Sequence, residues 1–206
     1  MKRMVRFALL GCLAATVVGC GSVKDANKGN FAKAIQAYLD TRNGVCADIP
    51  AKEYPFSLAN KGWFPDMKKR ADALAEVGLL TRSDTQIKAS FGNAMEEGSE
   101  YQLTELGKKF LVAGGANTMG RHDAFCSGKY EVVEVENFTE PSDAMGTTIS
   151  RVNYRYKVKD AADWVRSEGL HAAYKSLKGQ AEGEVRDKAV LVLTNEGWLH
   201  ERLFRR

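Results

Sequence analysis

The sequence predicts an α+β protein: a helix-led first module over residues 30–115, then a small antiparallel-sheet module over 116–206 ordered strand, strand, helix, strand, strand. Three observations carry that expectation. Phe31, Ile35 and Leu39 recur at helical spacing. Thr148 to Val158 alternates with a period of two, as a sheet dry on one face and wet on the other requires. Asn195, Glu196 and Gly197 separate two apolar runs as a hairpin turn would.

In chain order, Asn30 caps the first helix, Ala34 and Tyr38 flank its apolar stripe, and Asn43 and Gly44 end it. VCADIPAKEYPFSL is extended or looped, because Pro50 and Pro55 lack a backbone donor and restrain the residues before them. A second helix runs from Pro65 or Asp66 to Val77, with Met67, Ala71, Leu74 and Ala75 inward and Gly78 as its stop. Leu79 and Leu80 begin a strand, residues 81–100 form a polar excursion, and Tyr101 to Leu103 returns as a strand. Thr104 caps a short helix through Leu111, and Gly114, Gly115 and Gly120 mark the junction between modules.

In the second module, Cys126 to Phe138 is a long strand with one break in its alternation. On the next strand Ser150, Val152, Tyr154, Tyr156 and Val158 face inward, with Arg151, Asn153, Arg155 and Lys157 outward. Asp160 caps a helix carrying Trp164, Val165, Leu170, Ala173, Tyr174 and Leu177, interrupted at Gly169, that should cover the dry face. Lys188 to Thr194 and Trp198 to Phe204 form the closing hairpin.

Ahead of both modules, Lys2, Arg3 and Arg6 precede an uncharged run from Phe7 to Gly19. That run is about 13 residues, whereas a spanning helix needs roughly 20. Val17, Val18, Gly19 and Cys20 resemble the bacterial lipoprotein signal box. Leu9, Leu10, Gly11 and Cys12 fit the same pattern but leave an apolar core of about five residues, below the roughly 7 that export signals use. The resemblance implies removal of residues 1–19, a diacylglycerol thioether on Cys20 and an acyl chain on its new amino group. At roughly 0.8 kcal/mol per buried methylene, such chains hold a protein where one alone would not. Gly21 in place of aspartate implies the periplasmic face of a Gram-negative outer membrane. A secretory signal with a chance cysteine is the alternative, and residues 20–29, the lipidated cysteine and the small polar run after it, are expected to be a flexible tether between lipid and folded body.

The formal charge of +4 falls to +1 once the three signal cations leave, so no nucleic-acid partner follows from basicity. With Cys12 removed and Cys20 acylated, Cys46 and Cys126 remain as two thiols in an oxidising compartment. A Cys46–Cys126 disulfide is expected, with two buried free thiols as the alternative.

LAEVGLLTR followed by YQLTELGKKFL resembles a winged-helix domain over residues 31–112. The resemblance implies that the helix ending at Val77 takes the recognition position and that Leu79 to Leu103 is the wing, with Lys68, Lys69 and Arg70 available to phosphates. Three adjacent cations cannot all face one groove, and an exported chain does not meet the chromosome. The shape is therefore expected to serve protein contact, with nucleic-acid binding the reading for a chain that is not exported. The tail KAVLVLTNEGWLHERL resembles the last hairpin of small periplasmic lipoprotein domains of cystatin-like or nuclear-transport-factor-like kind.

Chemistry-bearing motifs are few. His122, His171 and His200 lack metal-ligand spacing, and Glu96, Glu97 and Glu100 read as solvated charge. His122, Asp123 and Cys126 can be drawn as a thiol nucleophile with its base, but that chemistry needs a reduced sulfur. The expectation is a non-enzymatic chain with no catalytic residue, metal or cofactor, partnered by a membrane through the lipid on Cys20 and by another protein. A small apolar or lipid ligand, held between a curved sheet and its covering helix, is the second reading. A thiol enzyme is the third.

Overall fold

The computed structural model describes residues 21–62, 64–89, 93–114, 122–144 and 146–204. Helices and antiparallel strands make an α+β protein, as its sequence patterning predicts. Cys20 and the segment before it lie outside the described residues.

The largest sheet is a meander. Strands β7 (Lys129–Phe138), β9 (Thr147–Lys159), β10 (Glu184–Thr194) and β11 (Gly197–His200) lie in the order β11-β10-β9-β7, with β8 (Ser142–Ala144) paired to the start of β9. The alternation expected in β9 is realised, since Ser150, Val152 and Tyr154 are buried while Arg151 and Lys157 are exposed.

Helix α1 (Lys28–Leu39) covers the dry face of this sheet, packing on β7 and β11. The expected covering segment after Asp160 instead breaks into a 3-10 turn at Asp163–Arg166, helix α4 (Glu168–Ala173) and helix α5 (Leu177–Ala181). Asp160 is no cap: its φ of 54° turns the chain out of β9. Of these pieces α5 reaches the sheet, whereas α4 packs on helix α2 (Pro65–Glu76).

Two further three-stranded sheets belong to the chain between α1 and β7. One has the order β1-β6-β5, with β1 Val45–Asp48, β5 Leu111–Val112 and β6 Ala124–Ser127. The other has the order β2-β4-β3, with β2 Phe56–Ala59, β3 Leu80–Lys88 and β4 Met95–Leu103. Helix α3 (Glu105–Phe110) follows β4, capped by Thr104, whose hydroxyl accepts the Gly107 amide at 2.8 Å.

The expected long strand from Cys126 to Phe138 is two strands in two sheets, divided at Gly128. Gly128 has φ 78°, and a Cβ there would stand 2.6 Å from Val158 and 2.8 Å from the Lys159 carbonyl, so glycine alone makes this corner. The expected division at residue 115 also changes character. Helix α1 belongs with the sheet of the second half, and residues 45–127 form an excursion whose first and last residues are strand partners. One core runs through all of it, from Phe31 and Ile35 through Leu74, Leu79 and Phe125 to Val165, Leu170 and Leu191.

The expected tether of residues 20–29 is folded from Ser22 onward. Asn27, not Asn30, is the N-cap of α1 and accepts the Asn30 amide. The Asn30 side chain instead donates to the Ser22 and Asp25 carbonyls, both at 2.9 Å, and Trp198 Nε1 donates to the Lys24 carbonyl at 3.0 Å. Small and polar residues read as linker in sequence; their order comes from partners 3 to 174 positions away.

Candidate functional site

The three-stranded β2-β4-β3 sheet forms an arm with little cover. Strand β3 exposes most of its nine residues and leaves one edge unpaired among the described strands. Gly98 of β4 lets the sheet lie close under Ile87, since a Cβ there would meet Ile87 at 2.9 Å. Leu58, Ala59, Phe64, Ile87 and Ala89 consequently line an open groove of 1020 Å³, rimmed by Lys61, Lys88 and Glu96. Phe64 is 72 % exposed beside it and Met95, on β4, is 60 % exposed. Together they leave apolar surface open to solvent along one side of the arm.

The root of the arm is tied by a polar network. Asp72 of α2 accepts hydrogen bonds from Lys68 Nζ at 2.8 Å and from the buried Tyr101 hydroxyl at 2.6 Å, and pairs with Arg82 at 3.3 Å. Burial pushes the Asp72 carboxyl up, but the bonds from Lys68 and Tyr101 and the nearby Arg82 charge outweigh it and hold the group below its ordinary value. Burial first, then Asp72, pushes the Tyr101 phenol far above its ordinary range. Arg82 also donates to Ser99, whose hydroxyl donates to Asn60 at 2.9 Å, so the network ties α2 to β3, β4 and the residue that follows β2.

A second concavity of 530 Å³ is polar and lies where the far end of α1 meets β9, β10 and β11. Tyr38 stacks on His200, with ring centroids 3.9 Å apart, and its hydroxyl accepts from Arg42. Tyr154 donates to Asp187 at 3.2 Å, while Lys188 and Arg202 complete the rim. His200 is 2 % exposed, and its Nδ1 accepts the Arg202 amide, which places the proton of the neutral ring on Nε2. Burial and the Arg202 charge push its pKa down to about 4. Burial and Asp187 push the Tyr154 phenol well above its ordinary value, so it is a hydrogen-bond donor at neutral pH, not a nucleophile. These groups can recognise a polar ligand by charge and hydrogen bonds. In the nearer part of the same helix–sheet seam Phe31 packs edge-on to Phe138 and Trp198.

Other sequence candidates fall apart from these sites. Cys46 and Cys126 form a disulfide and are direct partners across the β1–β6 ladder, so the sulfur a thiol mechanism would use is already bonded. Asp123 extends that ladder through its carbonyl, which accepts the Ile49 amide at 2.9 Å. His171 contacts the Val165 carbonyl. Of the three cations on α2, Lys68 is held by Asp72, and Arg70 pairs with Asp48 at 2.9 Å and lies over the Tyr174 ring. Among the described residues no cluster of His, Cys, Asp or Glu could hold a metal, and no helix is long and apolar enough to cross a membrane. Sequence reading missed both the groove and the polar pocket: Phe64 stands outside any periodic stripe, and Tyr38, Asp187 and His200 are too distant in sequence to signal one another.

Compared with family models, curated proteins and solved structures, the chain finds no match.

Proposed function

We propose that this chain is an envelope lipoprotein, exported, cut before Cys20 and acylated there, whose folded body works by contacting another protein and not by catalysis. The observation that carries the contact reading is the groove beside Phe64, an apolar surface on an arm bonded to α2 through Asp72. The order α2, β3, β4, α3 supports a winged-helix-like shape used for protein contact, with α2 in the recognition position. Helix α1 departs from that pattern because it lies on the large sheet. Export rests on the three cations, the short apolar run and the small residue before Cys20.

A photo-crosslinking amino acid in place of Phe64, in cells making the full chain, tests the contact reading. A discrete protein adduct that disappears with Ile87→Asp is the expected result. A crosslinked or copurified lipid instead would make this groove, not the sheet and covering helix of the second reading, the seat of an apolar ligand, which its 1020 Å³ volume favours. Labelled palmitate should enter the wild-type chain and not Cys20→Ser.

A further inference from the structure

The ordered start of the body fixes how such an anchor would hold it. Ser22 is already bonded through its carbonyl to Asn30, and Lys24 through its carbonyl to Trp198. A Cβ on Gly197 would stand 3.0 Å from the Val23 carbonyl, so this segment lies flush against the β10–β11 turn. From Cys20 to Ser22 is two residues, a reach of at most about 7 Å. The polar zone of one leaflet is itself about 5–8 Å deep. A leash that short has no slack to let the body tumble.

We propose that the protein stands on the bilayer in one orientation, with the β10–β11 turn and the start of α1 against the lipid headgroups and the arm pointing away. The proposal rests on acylation of Cys20. Lys24 and Lys28 share that end with Asp25, Glu140, Asp143 and Glu196, a mixed set of charges, so the leash and not attraction to anionic lipid sets the pose. The sheet gives the direction. Strand β9 begins at Thr147, the end where β8 pairs and where the β10–β11 turn lies, and finishes at Lys159, against Gly128. Thirteen residues of strand span roughly 40 Å. The β1–β6 ladder and the arm leave the body at that far end. Val23, 58 % exposed beside the leash, is the apolar side chain placed to enter the interface.

The test uses the full lipidated chain in phosphatidylcholine vesicles containing a lipid with a nitroxide on its headgroup. A fluorophore is attached at Glu196→Cys or at Asp84→Cys, Cys46 and Cys126 being bonded to each other. Quenching several-fold stronger at position 196 than at 84 is expected, and a flexible Gly-Ser insert of about 20 residues after Gly21, reaching roughly 25 Å, should erase the difference. Equal quenching at both positions in a chain that carries palmitate would overturn the fixed pose while leaving the anchor intact. A chain that neither takes up palmitate nor floats with vesicles would overturn the anchor and the pose with it.

Discussion

His200 and Asp72 give the protein two separate acid sensitivities. The folded state holds the His200 pKa near 4 against an unfolded value of about 6.5, so the unfolded chain binds the extra proton first as pH falls. Stability contributed by this residue is complete above about pH 6.5, is lost progressively as pH falls toward 4, and the loss reaches about 3 kcal/mol. Urea midpoints taken from pH 7 to pH 4 should therefore fall more steeply for the wild type than for His200→Gln. Asp72 has the opposite kind of shift, a depressed carboxyl, and its contribution is present above its unfolded value and lost as pH drops below about 4. Tyr101→Phe removes one of its bonds and should lower stability by about 1.5–3 kcal/mol in chemical denaturation, with the arm still folded. Thr104 was legible as a cap because its helix starts directly behind it. Asn27 was not, since the apolar stripe starts only at Phe31 and the turn before it carries no periodic signal.

Among the elements, those with one wet and one dry face were readable. β9 and α1 alternate or repeat as expected, because each packs against one large surface. The β3–β4 hairpin reads as a polar excursion because both of its faces meet water over much of their length, leaving no contrast for a period to display. The segment after Asp160 has a good apolar count but packs against several partners in turn, which breaks it into three short pieces. Trp198 holds two elements at once, with its ring edge-on to Phe31 and its Nε1 on the Lys24 carbonyl. Trp198→Ala should lower stability by about 3–5 kcal/mol. Hydrogen exchange at the amide of Asp25, bonded to Ser22 in the wild type, should then accelerate ahead of global unfolding.

At the scale of the whole molecule the sequence indicates two modules in succession, whereas the chain makes one core with a long excursion. Nothing in the Phe31, Ile35 and Leu39 stripe tells which sheet it will cover, since any apolar face satisfies it; the choice is made by Phe138 and Trp198, more than 100 residues later. The Cys46–Cys126 disulfide closes that excursion over a sequence separation of 80. In the chain-entropy picture such a closure contributes roughly 4–5 kcal/mol, often less when measured. Reduction of the purified protein should lower the thermal midpoint by about 10 °C at 2–4 °C per kcal/mol.

The same closure has a mechanical meaning. Force applied between the first residues and the last would unravel α1 and the large sheet, while residues between Cys46 and Cys126 stay outside the load path. Pulled to full length, the oxidised chain should come up shorter than the reduced one by about 270 Å, a step that single-molecule stretching resolves directly.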